Sequence, residues 1–318
     1  MERIQIAAPD FDLAKTLDSG QVFHWEQAGG GFVGTIGDLA IYAEQSGGFL
    51  KASCRTLNLE CKMHSGLEGL VSSYFALDHP LAEICASFPN DPTMDAAKTF
   101  CRGLRIIRQP KWECLATFIC SSMKQVAHIR QISRKLRERF GEFREINDNR
   151  VYTFPSAETI AAGSEKELRE CALGYRAKNL LATSRQVASG KIDLEQIGSL
   201  SDAALHARLR ELPGVGAKVA NCVMLFAYER LRAFPIDVWI ERVLREAYFS
   251  RARKLNAGRL KAFTERYFGE HGGYAQQYLF HHARITGRRR SEKAGAARGV
   301  QNGRRCGVSL HDKGSRVK

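Results

Sequence analysis

Residues 211–220 read ELPGVGAKVA, and they constrain the fold more tightly than any other stretch of the chain. Before them, ALHARLREL (204–212) has the apolar spacing of a helix, and VANCVMLFAYERL (219–231) resumes it afterwards. The Pro-Gly-Val-Gly between them cannot continue a helix. The pattern is therefore helix, tight glycine-rich turn, helix. The second helix starts with unpaired N–H donors and the positive end of its dipole, which together make an anion site. A DNA phosphate fits such a site without base specificity. An ordinary helix–helix connection has the same pattern, and so do hairpins in proteins that only hold DNA.

Lys218 narrows the choice. It stands in the first turn of the second helix, where the dipole disfavours a positive charge. A structural lysine gains nothing there. A nucleophilic lysine does, because the field and partial burial favour the neutral amine. Nineteen residues on, FPIDVWIERVL puts Asp237 after Pro-Ile and ahead of an apolar-periodic stretch, the position of an N-cap. Capping alone would explain Asp237. Paired with Lys218, it suggests an amine nucleophile served by a carboxylate.

The charge supports a polyanionic partner. The chain has 318 residues and a net charge of +14. Residues 287–318 contain ten Lys/Arg and two Asp/Glu, hence +8 of that total. This segment is rich in Gly, Arg and Ser and is expected to be a disordered basic tail. Basic bodies with basic tails suit DNA or RNA; a solubilising or cloning-derived tail is the other reading. The longest apolar run, CVMLFAY (222–228), is too short to cross a bilayer, and MERIQIAAPDFDL has no secretory pattern. None of the nine cysteines are spaced as CxxC, so neither zinc nor an iron–sulfur cluster is suggested, and reduced, mostly buried thiols are expected.

Residues 1–55 alternate and turn in VFHWEQ, GFVGTIG, LAIYAEQ and FLKASC, as a small antiparallel sheet does. From about residue 58 helical spacing takes over, in LEGLVSSYFAL (67–77), WECLATFICSSM (112–123), IRQISRKLRERF (129–140) and EKELRECAL (165–173). The expected class is α+β, with a β-rich domain over 1–95, a two-part helical body over 96–286 and the tail over 287–318.

The hairpin, the lysine and the downstream Pro-x-Asp resemble the helix–hairpin–helix DNA glycosylases, and among these the 8-oxoguanine DNA glycosylases. The resemblance spans residues 1 to about 285, through SGQVFHW (19–25), LRIIRQPKWECLATFICSS (104–122), LGYRAKNL (173–180), LPGVGAKVANC (212–222), FPIDVW (234–239) and YAQQYLF (274–280), in that order. It implies a monomer that acts on double-stranded DNA containing 8-oxoguanine, away from membranes. That places it in a bacterial cytoplasm at the nucleoid, or in a nucleus if the source is eukaryotic. Lys218 would be the nucleophile that forms a Schiff base at C1′, and Asp237 would stabilise the cationic sugar. Gly214, Gly216 and Val219 would grip a phosphate. The main-chain carbonyl of Gly20 would accept from the N7–H that only the oxidised base carries. Cys222 and Phe280 would sandwich the flipped base and Gln276 would bond its pairing edge; read alone, Cys222 and Phe280 are simply core and Gly20 a turn glycine. No cofactor is implied, although backbone carbonyls of Arg210, Leu212 and Val215 are candidates for a structural cation.

Tyr175 and Arg176 match positions that wedge into the duplex and meet the orphaned cytosine. Met123 and His128 stand where members usually carry a polar gap-filler and a cytosine-reading arginine, and Trp239 where they carry a histidine near a phosphate. These departures look like the bacterial branch and imply weaker discrimination against adenine opposite the lesion. Two other readings remain open at this point: a related glycosylase for another damaged base, and a DNA-binding module without turnover.

Overall fold

The computed structural model describes residues 1–55, 66–250 and 254–287; the basic tail from residue 288 onward lies outside the described residues. The N-terminal part is an antiparallel five-stranded sheet ordered β1-β5-β4-β3-β2. Its strands are β1 (Glu2–Ala7), β2 (Glu26–Ala28), β3 (Gly31–Ile36), β4 (Leu39–Ser46) and β5 (Phe49–Cys54), with the short helix α1 (Leu13–Asp18) after β1. Gly47 and Gly48, at φ +59° and +80°, make the two-residue turn that β4 and β5 need. The sheet closes its core with Leu13 and Leu17 of α1 and Leu67, Val71 and Tyr74 of α2 (Gly66–Tyr74).

One expectation fails here. The alternation in VFHWEQ predicts a strand, but pairing begins only at Glu26. The preceding residues are pulled between two cores: Val22 and Trp25 enter the sheet core, and Phe23 enters the helical one.

The helical body comprises α3 (Leu81–Ala86), α4 (Pro92–Phe100), α5 (Lys111–Ser121), α6 (Val126–Phe140), α7 (Ala157–Ala162), α8 (Glu165–Leu168), α9 (Arg176–Ala188), α10 (Asp202–Arg210), α11 (Ala217–Ala227), α12 (Val238–Val243) and α13 (Ala257–Tyr267). A last helix, α14, occupies residues 272–287. Helix α5 is the buried axle, with every residue from Glu113 to Ser121 buried. Two further expectations are corrected. The predicted helix over 165–173 stops at Leu168 and turns through a wider coil in which Ala172 takes φ +67°. The body also contains a hairpin, β6 (Phe143–Ile146) and β7 (Asn149–Tyr152), where only helices were expected. Asn147 and Asp148, both at positive φ, form its turn, and Ile146 packs on Val33 and Ala40 of the first sheet.

A buried polar cluster fastens the sheet to the body. Arg137 of α6 is ion-paired with Glu113 of α5 and donates to Thr35 Oγ1 (2.8 Å) and the Tyr152 carbonyl (2.9 Å). His24 joins it at 3.3 Å from Glu113 and 2.9 Å from the Thr35 carbonyl. Burial pushes the Glu113 carboxyl up, and the Arg137 charge pulls it back.

Candidate active site

The α10–α11 hairpin is seated by a glycine whose backbone angle and close packing disfavour any side chain. Gly214 has φ +83°, and a Cβ there would lie 2.9 Å from Asn179 Cβ and 3.1 Å from Ile119 Cγ2. The turn backbone is thus pressed onto α9 and α5, and Thr183 Oγ1 donates to the Pro213 carbonyl at 3.0 Å. Gly216, the N-cap of α11, has nothing within 4 Å of its Cβ position. One glycine faces protein and the other faces open space. Val219 has a buried side chain, so it can serve a phosphate only through its N–H. Gly214→Ala is expected to cost roughly 1–3 kcal/mol or more from strain and overlap, and Gly216→Ala well under 1 kcal/mol. Denaturant midpoints of the two variants check this; equal midpoints would refute the seating.

Lys218 lies in the first turn of α11, as its dipole argument requires. Its Nζ donates to Ser121 Oγ at 3.3 Å and stands 5.0 Å from the centre of the Phe118 ring. Ser121, at the end of α5, donates its own hydrogen to the Phe118 carbonyl (2.7 Å), which leaves its oxygen free to accept. Phe118 stacks on Phe226 with centroids 5.4 Å apart, so the floor under the amine is rigid and apolar. Cys222, one turn further along α11, is buried and lies in the field of the Lys218 charge. Burial pushes its thiol up to about 11, and the Asp237 charge adds to the rise while Lys218 opposes it. Cys222 is therefore a neutral thiol, fit to cover a base face and not to attack.

Asp237 caps α12 by accepting from the Ile240 N–H at 2.9 Å. Burial pushes its carboxyl up, and the Ile240 N–H and the Lys218 charge pull it back. The amine, the thiol and the carboxylate thus sit in one another's fields, within reach of the open hairpin.

The residues expected to recognise the base form a second group. Gly20 has φ +84°, and a Cβ there would lie 3.0 Å from Phe280 Cε1 and 3.7 Å from Val126 Cγ2. The turn is held by Gln21, which is fully buried: its Oε1 accepts from Ile107 N (2.7 Å), and its Nε2 donates to the Arg105 carbonyl (2.8 Å). On α14, Gln276 and Phe280 share a face, four residues apart. Gln276 is buried, and its Oε1 has no hydrogen-bond partner. An orphaned buried acceptor is costly, so it marks a place for a ligand N–H.

A third group lies on the surface. Met123 takes φ +54° and is 92% exposed, and Tyr175 beside it is 57% exposed, its hydroxyl 3.8 Å from the Met123 sulfur. Arg176 is not presented with them. It is buried under the Tyr175 ring at 4.3 Å, and its guanidinium donates to the Ser122 carbonyl (2.8 Å) and the Leu173 carbonyl (3.4 Å). His128 is exposed on α6. Trp239 packs against Gly287 at the end of α14, where a Cβ would lie 2.9 Å from its ring.

Sequence reading missed Ser121 and Phe118 as partners of Lys218. Both lie in the FICSS segment, but no spacing rule says which face of α5 meets α11.

Two family models account for most of the chain. Residues 3–115 match the 8-oxoguanine DNA glycosylase N-terminal domain, and residues 116–267 match the HhH-GPD superfamily base excision DNA repair protein. The N-glycosylase/DNA lyase OGG1 of Arabidopsis thaliana is 30% identical over 291 residues, which cover 87% of this chain and 78% of the relative. The probable N-glycosylase/DNA lyase of Methanothermobacter thermautotrophicus is 30% identical over 221 residues, 63% and 70% of the two chains. Among solved structures, Clostridium acetobutylicum 8-oxoguanine glycosylase/lyase in complex with double-stranded DNA containing cytosine opposite 8-oxoguanine superposes with a TM-score of 0.81 at 28% identity, over 90% of this chain and 99% of that one. With its two family models matched end to end and a relative 30% identical over 87% of its length, the chain belongs to the 8-oxoguanine DNA glycosylase family of the helix–hairpin–helix superfamily.

Proposed function

We propose that this protein flips 8-oxoguanine out of duplex DNA, excises it with Lys218 and then cleaves the abasic strand. The observation that carries the proposal is the position of Lys218: at the open end of the hairpin, held by Ser121 and facing the charge of Asp237. The neutral amine attacks C1′, the bond from C1′ to the base nitrogen breaks, and the base leaves with a proton. Asp237 stabilises the positive charge that develops on the sugar. The resulting aminal opens the sugar ring: the C1′–O4′ bond breaks, O4′ takes a proton and C1′ becomes the Schiff base, which lets C2′ lose a proton as the C3′–O bond to the 3′ phosphate breaks. The Gly20 carbonyl faces the N7–H, Gln276 Oε1 accepts from the pairing edge, and Cys222 and Phe280 cover the two faces of the base.

Met123 and Tyr175 are the groups exposed to fill the gap in the duplex. With Arg176 turned inward and His128 in place of a guanidinium, adenine opposite the lesion is rejected less strongly than in arginine-bearing relatives. A cation on the carbonyls of Arg210, Leu212 and Val215 fits the hairpin's chemistry: the Leu212 oxygen gives one lone pair to Val215 N–H (3.1 Å) and keeps another. We place the protein as a monomer in the compartment that holds the chromosome, at a bacterial nucleoid or in a nucleus. No helix of the described residues is long and apolar enough to cross a membrane.

The test is borohydride trapping with duplexes carrying 8-oxoguanine, an oxidised pyrimidine or an alkylated purine, the first placed opposite each of the four bases. A covalent complex with 8-oxoguanine, strongest opposite cytosine, is expected. Trapping only with another lesion would make the protein a different glycosylase, and binding without trapping or base release would make it a DNA-holding module.

A further inference from the structure

The Gly20 turn and helix α14 are fastened to each other by side chains that no catalytic step uses. Gln277 is 2% exposed, and its Nε2 donates to the Ser19 carbonyl at 2.9 Å. Ser19 is itself buried and adjoins Gly20. On the rim of the same turn, Asp18 receives Arg130 of α6 at 2.7 Å and Arg284 of α14 at 3.1 Å. Gln277 follows Gln276 and lies three residues before Phe280. One helix therefore presents its base-contacting face to the ligand and an adjacent face to the backbone that carries the discriminating carbonyl.

From this juxtaposition we infer that Gln277 is a positioning residue for lesion discrimination, with the Asp18 clamp as its outer support. The inference rests on the function proposed above. Selection of 8-oxoguanine over guanine depends on one carbonyl meeting one N–H, and a hydrogen bond weakens steeply when its angle opens. Gly20 supplies no side chain to anchor that carbonyl, and its φ of +84° is open to alternatives that only glycine has. The Gln277 amide removes those alternatives by tying the neighbouring carbonyl to the helix that holds Gln276 and Phe280. The turn and the helix then move as one body, and the distance from the Gly20 oxygen to the base sandwich is fixed before the base arrives.

The discriminating experiment compares two reactions of the same protein. Excision of 8-oxoguanine needs the Gly20 carbonyl; strand cleavage at a preformed abasic site has no base to select and does not. Gln277→Met keeps the side-chain volume and removes the donor. It is expected to slow single-turnover excision about tenfold and to leave abasic-site cleavage within about twofold of wild type. Gln277→Glu, which sets an acceptor against the Ser19 carbonyl, is expected to be slower still with the same split. Asp18→Asn, a rim change that leaves the buried amide in place, should show a smaller loss with the same split, and it serves if Gln277→Met fails to fold. A parallel fall of both reactions would make these residues merely structural and overturn the inference, as would no change in either. A wild-type protein that cleaves abasic sites but leaves 8-oxoguanine intact would instead overturn the functional proposal, and this inference with it.

Discussion

Lys218→Gln abolishes base release and borohydride trapping, while the variant folds and still binds duplex DNA. An amide nitrogen has no free lone pair for C1′, so no residual Schiff base can form. Losing a nucleophile is expected to lower the single-turnover rate by at least roughly a thousandfold. Folding should be indifferent or slightly improved. The lysine sits in the first turn of α11, where a positive charge costs about 0.3–1 kcal/mol against the dipole. In the proposed function the phosphate grip belongs to the backbone N–H groups of the hairpin, so duplex binding is expected to survive the change. Single-turnover kinetics, trapping and a thermal scan on one preparation check all three statements. Full trapping by the variant would remove Lys218 from the mechanism; loss of the fold would show that its role is packing.

What the sequence discloses follows from which forces are local. The hairpin is readable because proline and glycine break helices wherever they stand. The Asp237 cap is readable because a cap is decided within four residues, and the structure shows that bond to the Ile240 N–H. The sheet is readable from alternation, except where tertiary demand overrides it: Phe23 is drawn across to the helical core, so the strand expected in VFHWEQ starts late. The β6–β7 hairpin was missed because its turn, Asn147-Asp148, lacks the glycine that usually signals one, and its short strands are stabilised by packing on β3 and β4. The inward turn of Arg176 could not be read at all. An arginine beside an exposed tyrosine looks ready for DNA, and only the placement of the Ser122 carbonyl shows where its guanidinium is spent. The bond from Lys218 to Ser121 and the bond from Gln277 to Ser19 span 97 and 258 residues of chain, distances over which no spacing rule operates.

Asp237→Asn separates the two roles of that aspartate. Asparagine caps a helix about as well as aspartate, so α12 keeps its Ile240 bond and the fold loses a few tenths of a kcal/mol at most. The carboxylate charge is what disappears. Removing a preorganised group that stabilises developing charge typically costs a factor of ~10²–10³ in rate, and that loss is expected here in base excision. Asp237→Ala should be equally slow and also less stable by about 1 kcal/mol, because the cap goes too. The pH dependence makes the assignment specific. Burial holds the Asp237 carboxyl above the ordinary aspartate range, so on acidification it takes up its proton earlier than an exposed aspartate would. Above that point the carboxylate is present and the wild-type advantage over Asp237→Asn is complete. Below it the wild type carries a neutral acid, electrostatically like the amide, and the advantage shrinks. The ratio of wild-type to variant excision rates should therefore fall as pH is lowered through the raised pKa, whatever the other groups in the site do to both proteins alike. Single-turnover rates across a pH series measure it. A ratio that stays flat across the series would show that the charge of Asp237 takes no part in the reaction, and normal activity of the variant would leave Asp237 as a helix cap alone.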